Sequence, residues 1–196
     1  MRSYKQQQKK KEKRNQIIIA ILLSFLMIGS MAGIMLNQQN TNKKYNNYKF
    51  RSTDQGYLTK VEGKEFYFNY LPQEIEEFKI NKSFCKKLQN SEAIQILFEP
   101  ETQSAMFIDY IRLNFQQNLN QIIITKITNE STKYNAYDVA SCDNATERMP
   151  MIFFKETDNQ SITIDNNCLI VESKQNNFLV FRDIILYGYT RIMQGD

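Results

Sequence analysis

Residues Ile17–Leu36 (IIIAILLSFLMIGSMAGIML) form one apolar block, uncharged over its whole length and interrupted only by Ser24 and Ser30. Wound as a helix at ~1.5 Å per residue, it measures about 30 Å, the thickness of a bilayer's hydrocarbon core. A transmembrane helix over 17–36 is therefore expected. Beyond it the rhythm changes. Phe66, Phe68 and Tyr70 alternate with Glu65, Tyr67 and Asn69, the period-2 signature of a half-buried strand over Lys64–Tyr70. Gly56–Lys60 reads as its neighbour, joined through a turn that contains Gly63. Pro72 and the acidic residues Glu74, Glu76 and Glu77 mark a short helix start.

Ile94–Phe98 is a short apolar run stopped by Glu99-Pro100. In Ala105–Leu119, residues Phe107, Tyr110, Ile111, Phe115 and Leu119 fall on one helical face. Gln121–Asn129, rich in Ile, reads as a buried strand. Strand, helix and strand in that order predict a βαβ crossover. A β-rich third follows: Tyr137–Ala140, Met151–Lys155, then Ser161–Asp165 and Cys168–Ser173 flanking Asn166-Asn167, a pair suited to a type I′ turn. Asn177–Met193 closes the chain as a helix with Phe178, Phe181, Ile185, Gly188 and Ile192 on one stripe. The expected fold class is α+β: one N-terminal transmembrane helix and a single mixed-sheet domain with a βαβ unit and a C-terminal helix.

Charge sharpens the division. Residues 1–16 carry a net +6, residues 37–51 a net +4 and residues 52–196 a net −6, so the excess of Lys and Arg lies beside the apolar block. The expected organisation is a basic cytoplasmic tail (1–16), a signal anchor (17–36), a polar Asn-rich stalk (37–51) and an extracytoplasmic domain (52–196). The heavier basic flank on the N-terminal side sets that orientation, in the cell membrane. Ser30-Met31-Ala32 offers a rival, a signal peptide cut before Gly33, but the apolar run continues through Leu36. Gly29 and Gly33 form a GxxxG, a geometry through which two such helices can pair as a weak homodimer. An acidic domain argues against nucleic acid as a partner; the lipid bilayer and a membrane or envelope protein are the partners expected.

The chain has no His and only six Gly. That removes imidazole bases, Cys–His nucleophiles, His–metal centres and glycine-rich phosphate loops. No catalytic residue, cofactor or metal site is expected, and the chain reads as a non-enzyme. Three cysteines allow three pairings, and spacing does not choose among them; Cys142 and Cys168 both lie in the β-rich third, and a bridge there would close a loop of about 27 residues. Cys85, followed by Lys86 and Lys87, is then a free thiol, either activated by those lysines or packed as a small hydrophobe. Four sequons, at Asn81, Asn129, Asn144 and Asn159, fit N-glycosylation of surface turns; the chain's Asn and Ser/Thr content supplies part of that number unaided. Asp143-Asn144, Asp158-Asn159 and Asp165-Asn166 read as turn chemistry.

Met149-Pro150-Met-Ile-Phe-Phe-Lys, followed by strands and a helix, resembles the second half of a thioredoxin-like domain, which implies a cis proline before a core strand. The paired cysteines of that family are missing. The tail, the anchor and the motifs Tyr48-Lys-Phe50, Phe68-Asn-Tyr-Leu-Pro72, Ser141-Cys-Asp-Asn-Ala-Thr146 and Asn167-Cys-Leu-Ile-Val171 together resemble uncharacterised single-pass membrane proteins of small-genome archaea. That resemblance implies an outward-facing domain in a cell that glycosylates, and makes Cys142 and Cys168 the natural pair. Three functions follow as expectations: a membrane-anchored accessory subunit of an envelope, secretion or surface assembly; a divergent thiol protein; or a ligand or glycan binder using Tyr134, Tyr137, Tyr187 and Tyr189. A tyrosine-lined pocket would favour the binder, an exposed apolar patch the accessory subunit.

Overall fold

A computed structural model describes residues 17–29, 43–193 and 195. It divides into two units, Met1–Thr41 and Asn42–Asp196. In the first, residues 17–29 are helical (α1). Their large apolar side chains lie on every face and are 53–75% exposed, and the Ser24 hydroxyl donates to the Ala20 carbonyl at 2.9 Å, so its polarity is absorbed within the helix. Among the described residues no helix is long and apolar enough to cross a membrane. The expected span continues through 30–36, which, like the tail 1–16, Gly33 and the cut site at Ala32, lies outside the described residues.

The second unit opens with an antiparallel meander, β1 (Lys43–Tyr45), β2 (Tyr48–Thr53), β3 (Gly56–Val61) and β4 (Lys64–Phe68), in that spatial order. This corrects the stalk expected over 37–51, which is folded from Lys43 onward. Asn46, at φ 49°, turns β1 into β2, and Phe50 is fully buried against Phe68 and Tyr187. The polar residues between those anchors face solvent, which is why the segment's composition reads as a linker. Glu62 and Gly63, both at positive φ, make the β3–β4 turn where it was expected.

A 3₁₀ turn at Pro72–Glu74 leads to α2 (Lys82–Asn90), then β5 (Ala93–Phe98), α3 (Ala105–Asn118), β6 (Ile122–Ile127), β7 (Asp138–Val139), β8 (Met151–Glu156), β9 (Ser161–Asp165), β10 (Cys168–Ser173) and α4 (Phe178–Tyr189). Six strands form a mixed sheet in the order β7-β6-β5-β8-β10-β9. All its pairings are parallel except the β9–β10 hairpin. The βαβ unit expected over 94–129 is present as β5-α3-β6, with Ile96 opposite Thr125. The fold is α+β with mixed sheets, as the sequence predicts.

Burial explains where the sequence reading erred. α3 buries Ile108, Ile111 and Phe115, with Ser104 before and Leu119 after, so Tyr110 faces outward rather than into the core. α4 is shorter than expected and buried nearly all round, because the sheet lies on one side and the meander on the other: Phe178 packs edge-on to Phe154 of β8, while Tyr187 stacks on Phe68 of β4 with ring centroids 4.0 Å apart. α2 was not anticipated. Asn81 caps it by accepting from the Ser83 N–H at 2.7 Å, and Phe84, Cys85 and Leu88 supply one buried face. No cis peptide occurs among the described residues, so the peptide before Pro150 is trans and the thioredoxin-like proline is not reproduced. Asn166 alone of its pair has positive φ (53°), short of the two that a type I′ turn requires.

The sheet's second face carries Leu97, Met151 and Cys168, fully buried, with Phe153 and Ile170 half-buried beside them. Among the described residues of this domain no helix packs on them. Residues 140–150 cross over instead, laying Ala140, Cys142 and Ala145 on the apolar strip.

Candidate functional site

Cys142 and Cys168 are disulfide-bonded, with Cα atoms 5.4 Å apart. The bridge fixes the crossing segment 140–150 to the start of β10 and so holds the cover on the sheet's second face. Cys85 is free and fully buried. Its Sγ lies against Gly188 of α4, close enough that a Cβ there would meet it at 2.7 Å. Burial pushes the thiol up to about 12. Lys87, one of the lysines expected to activate it, is turned away to the Asn166 carbonyl and the Asn167 side chain. The thiol is packing, not chemistry.

The sequon asparagines Asn81, Asn129, Asn144 and Asn159 are all exposed. Asn81 caps α2, and Asn144 accepts from the Ser141 N–H at 2.8 Å. Gly29 sits at the end of the described part of α1, with open space around its Cα. The carboxylates singled out in the sequence stay apart. Glu74 accepts from the Leu71 N–H, Glu76 from the Tyr45 hydroxyl, and Asp158 pairs with Lys174 at 2.6 Å. Among the described residues no group of three or more acidic or cysteine side chains is placed to hold a metal ion.

Two polar clusters escaped the sequence reading. Glu156, at the end of β8, accepts from the Thr102 and Ser104 hydroxyls and the Gln103 N–H at the start of α3. Burial opposes its ionisation, but these bonds together outweigh it and hold the carboxyl below the usual range. It anchors the segment that leads into α3, and Ser104, at the cap position, gives its hydroxyl to Glu156 rather than to the helix. In α4, Arg182 and Asp183 are both buried. One Asp183 oxygen accepts from the Asn69 and Tyr70 N–H groups at 2.7 and 2.9 Å, and the other lies 2.7 Å from an Arg182 nitrogen without forming a hydrogen bond. Arg182 also donates to the Tyr67 carbonyl at 3.1 Å. This pair ties α4 to the end of the meander.

The concave site lies elsewhere. A cleft of about 340 Å³ opens between the first turns of α3, the ends of β5 and β6, and the loop 128–137. It sits toward the carboxyl ends of the adjacent parallel strands β5 and β6. Ile96, Phe98 and Ile108 form an apolar floor. Tyr134 and Tyr137 make one wall: their rings stack at 5.9 Å, Phe98 meets Tyr134 edge-on at 5.2 Å, and neither phenol hydroxyl has a hydrogen-bond partner among the described residues. Lys133 lies over the Tyr134 ring at 5.0 Å. Across the mouth Arg112 pairs with Asp109 at 2.8 Å. Met106 forms the lip, 73% exposed, and begins an apolar stripe along α3 that continues through Tyr110 (50%) and Leu113 (44%), spaced four and three residues apart.

Half of the tyrosine platform expected from sequence is therefore assembled. Tyr187 is buried, donating its hydroxyl to the Tyr70 carbonyl at 2.7 Å. Tyr189 lines a separate polar depression where α2, α3 and α4 all end. Lys64 there donates to the Gln117 and Asn118 carbonyls at the negative end of α3, and Arg191 donates to the Gln89 side chain, so both cations already have resident partners. The floor and lip of the cleft were not foreseen: Met106 and Ile108 lie one position away from the stripe drawn through Phe107 and Tyr110. No family model matches the chain, and comparison with curated proteins and with solved structures likewise yields no match.

Proposed function

We propose that this is a membrane-anchored, non-catalytic recognition module. The apolar block 17–36 holds it in the bilayer, the basic tail stays in the cytoplasm, and the folded domain engages a membrane or envelope protein on the outer side. The observation that carries the reading is the exposed stripe Met106–Tyr110–Leu113 running into the tyrosine-walled cleft. Contiguous exposed apolar surface with a polar rim is the usual mark of a protein contact. The uncharged, all-round apolar face of α1 and its basic flank support the anchor. A thiol role is disfavoured, since Cys85 is buried with a raised pKa and Cys168 is inaccessible.

A second reading, a binder of small molecules, draws on the cleft alone, whose volume lies at the lower end of the range for ligand pockets. The two separate by experiment. Native membranes are extracted gently, crosslinked, and the tagged chain is recovered for mass spectrometry. A stoichiometric membrane partner that is lost with Met106→Asp and Leu113→Asp supports the recognition module. Recovery of the chain alone overturns it.

A further inference from the structure

Resting on that reading, we propose that the cleft takes one apolar side chain of a partner polypeptide, and that Lys133 at its mouth selects a segment with a carboxylate beside that anchor. Ile96, Phe98 and Ile108 give the cleft an apolar floor that suits a branched aliphatic or aromatic side chain, while Thr125, Asp109, Arg112 and Lys133 supply polar groups around it. A sugar would need an open aromatic face and several fixed polar partners, whereas Tyr134 is already engaged by Tyr137 and by Lys133.

The occupant is longer than the cleft. The exposed stripe leads from the lip at Met106 to Leu113, about 10 Å along α3 at ~1.5 Å per residue, which fits a chain segment lying along the helix. Charge sets its chemistry. Arg112 is held by Asp109, but Lys133 has no carboxylate partner among the described residues and meets only an aromatic ring. A ligand carboxylate gives that ammonium a counter-ion at the exposed rim, where such a contact adds selectivity more than affinity.

The test uses the full chain in detergent micelles against a library of short random peptides, selected in parallel on the wild type and on Lys133→Glu. Lys133 is exposed, so its reversal leaves the fold intact. The expected result is enrichment of peptides with Leu, Ile or Phe next to Asp or Glu. Those peptides bind Lys133→Glu about fivefold to tenfold more weakly, and selection on that variant shifts to Lys or Arg at the same place. Tyr137→Ala, shown folded by its melting curve, weakens both sets. Absence of enrichment, enrichment indifferent to Lys133→Glu, or oligosaccharide binding sensitive to Tyr137→Ala overturns the proposal. A membrane partner that is captured through Met106 and Leu113 but unmoved by Lys133→Glu leaves the recognition module standing and removes only this inference.

Discussion

Gly188 and Asp183 show how single positions in α4 set the terms for the rest of the domain. A methyl group at Gly188 would meet the Cys85 Sγ at 2.7 Å in the contact between α4 and α2. Overpacking of this kind costs ~1–3 kcal/mol, partly offset by the better helix propensity of Ala. Gly188→Ala is expected to lower the midpoint of chemical denaturation, and Cys85→Ala in the same chain to restore most of the loss; equal destabilisation in the double variant would refute the contact. Burial pushes the Asp183 carboxyl up to about 7, while the Arg182 guanidinium and the Tyr70 and Asn69 N–H groups pull the other way. The folded state thus keeps a proton that the unfolded chain releases near pH 4. Unfolding releases it between about pH 4 and pH 7, so stability falls as pH rises through that window and flattens above it. Denaturation series across that range should show this slope in the wild type and lose it in Asp183→Asn. Neither residue could be read from sequence. An arginine and an aspartate inside an apolar helix pattern look like the solvated side of that helix until the meander is known to cover it.

At the scale of elements, what was legible is what periodicity encodes. β4 falls where alternation places it, and β5, β6, β8 and the β9–β10 hairpin fall where short apolar runs and turn residues place them; β5, buried at all six positions, shows no alternation. α3 was placed well along the chain, and Ile111, Phe115 and Leu119 of the stripe drawn for it are buried, whereas Tyr110 is exposed. Tyr110 and Leu113 are apolar and exposed, so the helix carries two stripes, and sequence does not say which one is covered. β1 and β2 were missed because their burial rests on few side chains, Phe50 above all. The segment 140–150 does a helix's work without a helix's signal, and the disulfide is what makes that tenable. Replacing Cys142 and Cys168 by Ser should cost ~3–4 kcal/mol, given the 26-residue separation. Hydrogen exchange should then rise first in 140–150 and at the start of β10, with α3 and α4 still protected. Uniform loss of protection would show that the bridge supports the whole domain rather than its cover.

The sequence joins an apolar, basically flanked N-terminal segment to an acidic α+β domain that carries an apolar-floored cleft beside α3. The segregation of charge and hydropathy was legible along the sequence, because it is written in long runs. The groove was legible only in part, since Tyr134 and Tyr137 come together with Met106 through tertiary contacts that no local pattern announces. The central claim is that this domain is tethered at a membrane in order to hold a protein along α3. The most direct measurement places a photo-crosslinking side chain at Tyr110 of the full chain and irradiates intact membranes. The account predicts one discrete adduct, with a protein that stays in the membrane fraction after an alkaline wash, and its loss with Met106→Asp. Release of the chain itself by that wash, or labelling that is diffuse and unchanged by Met106→Asp, would contradict it.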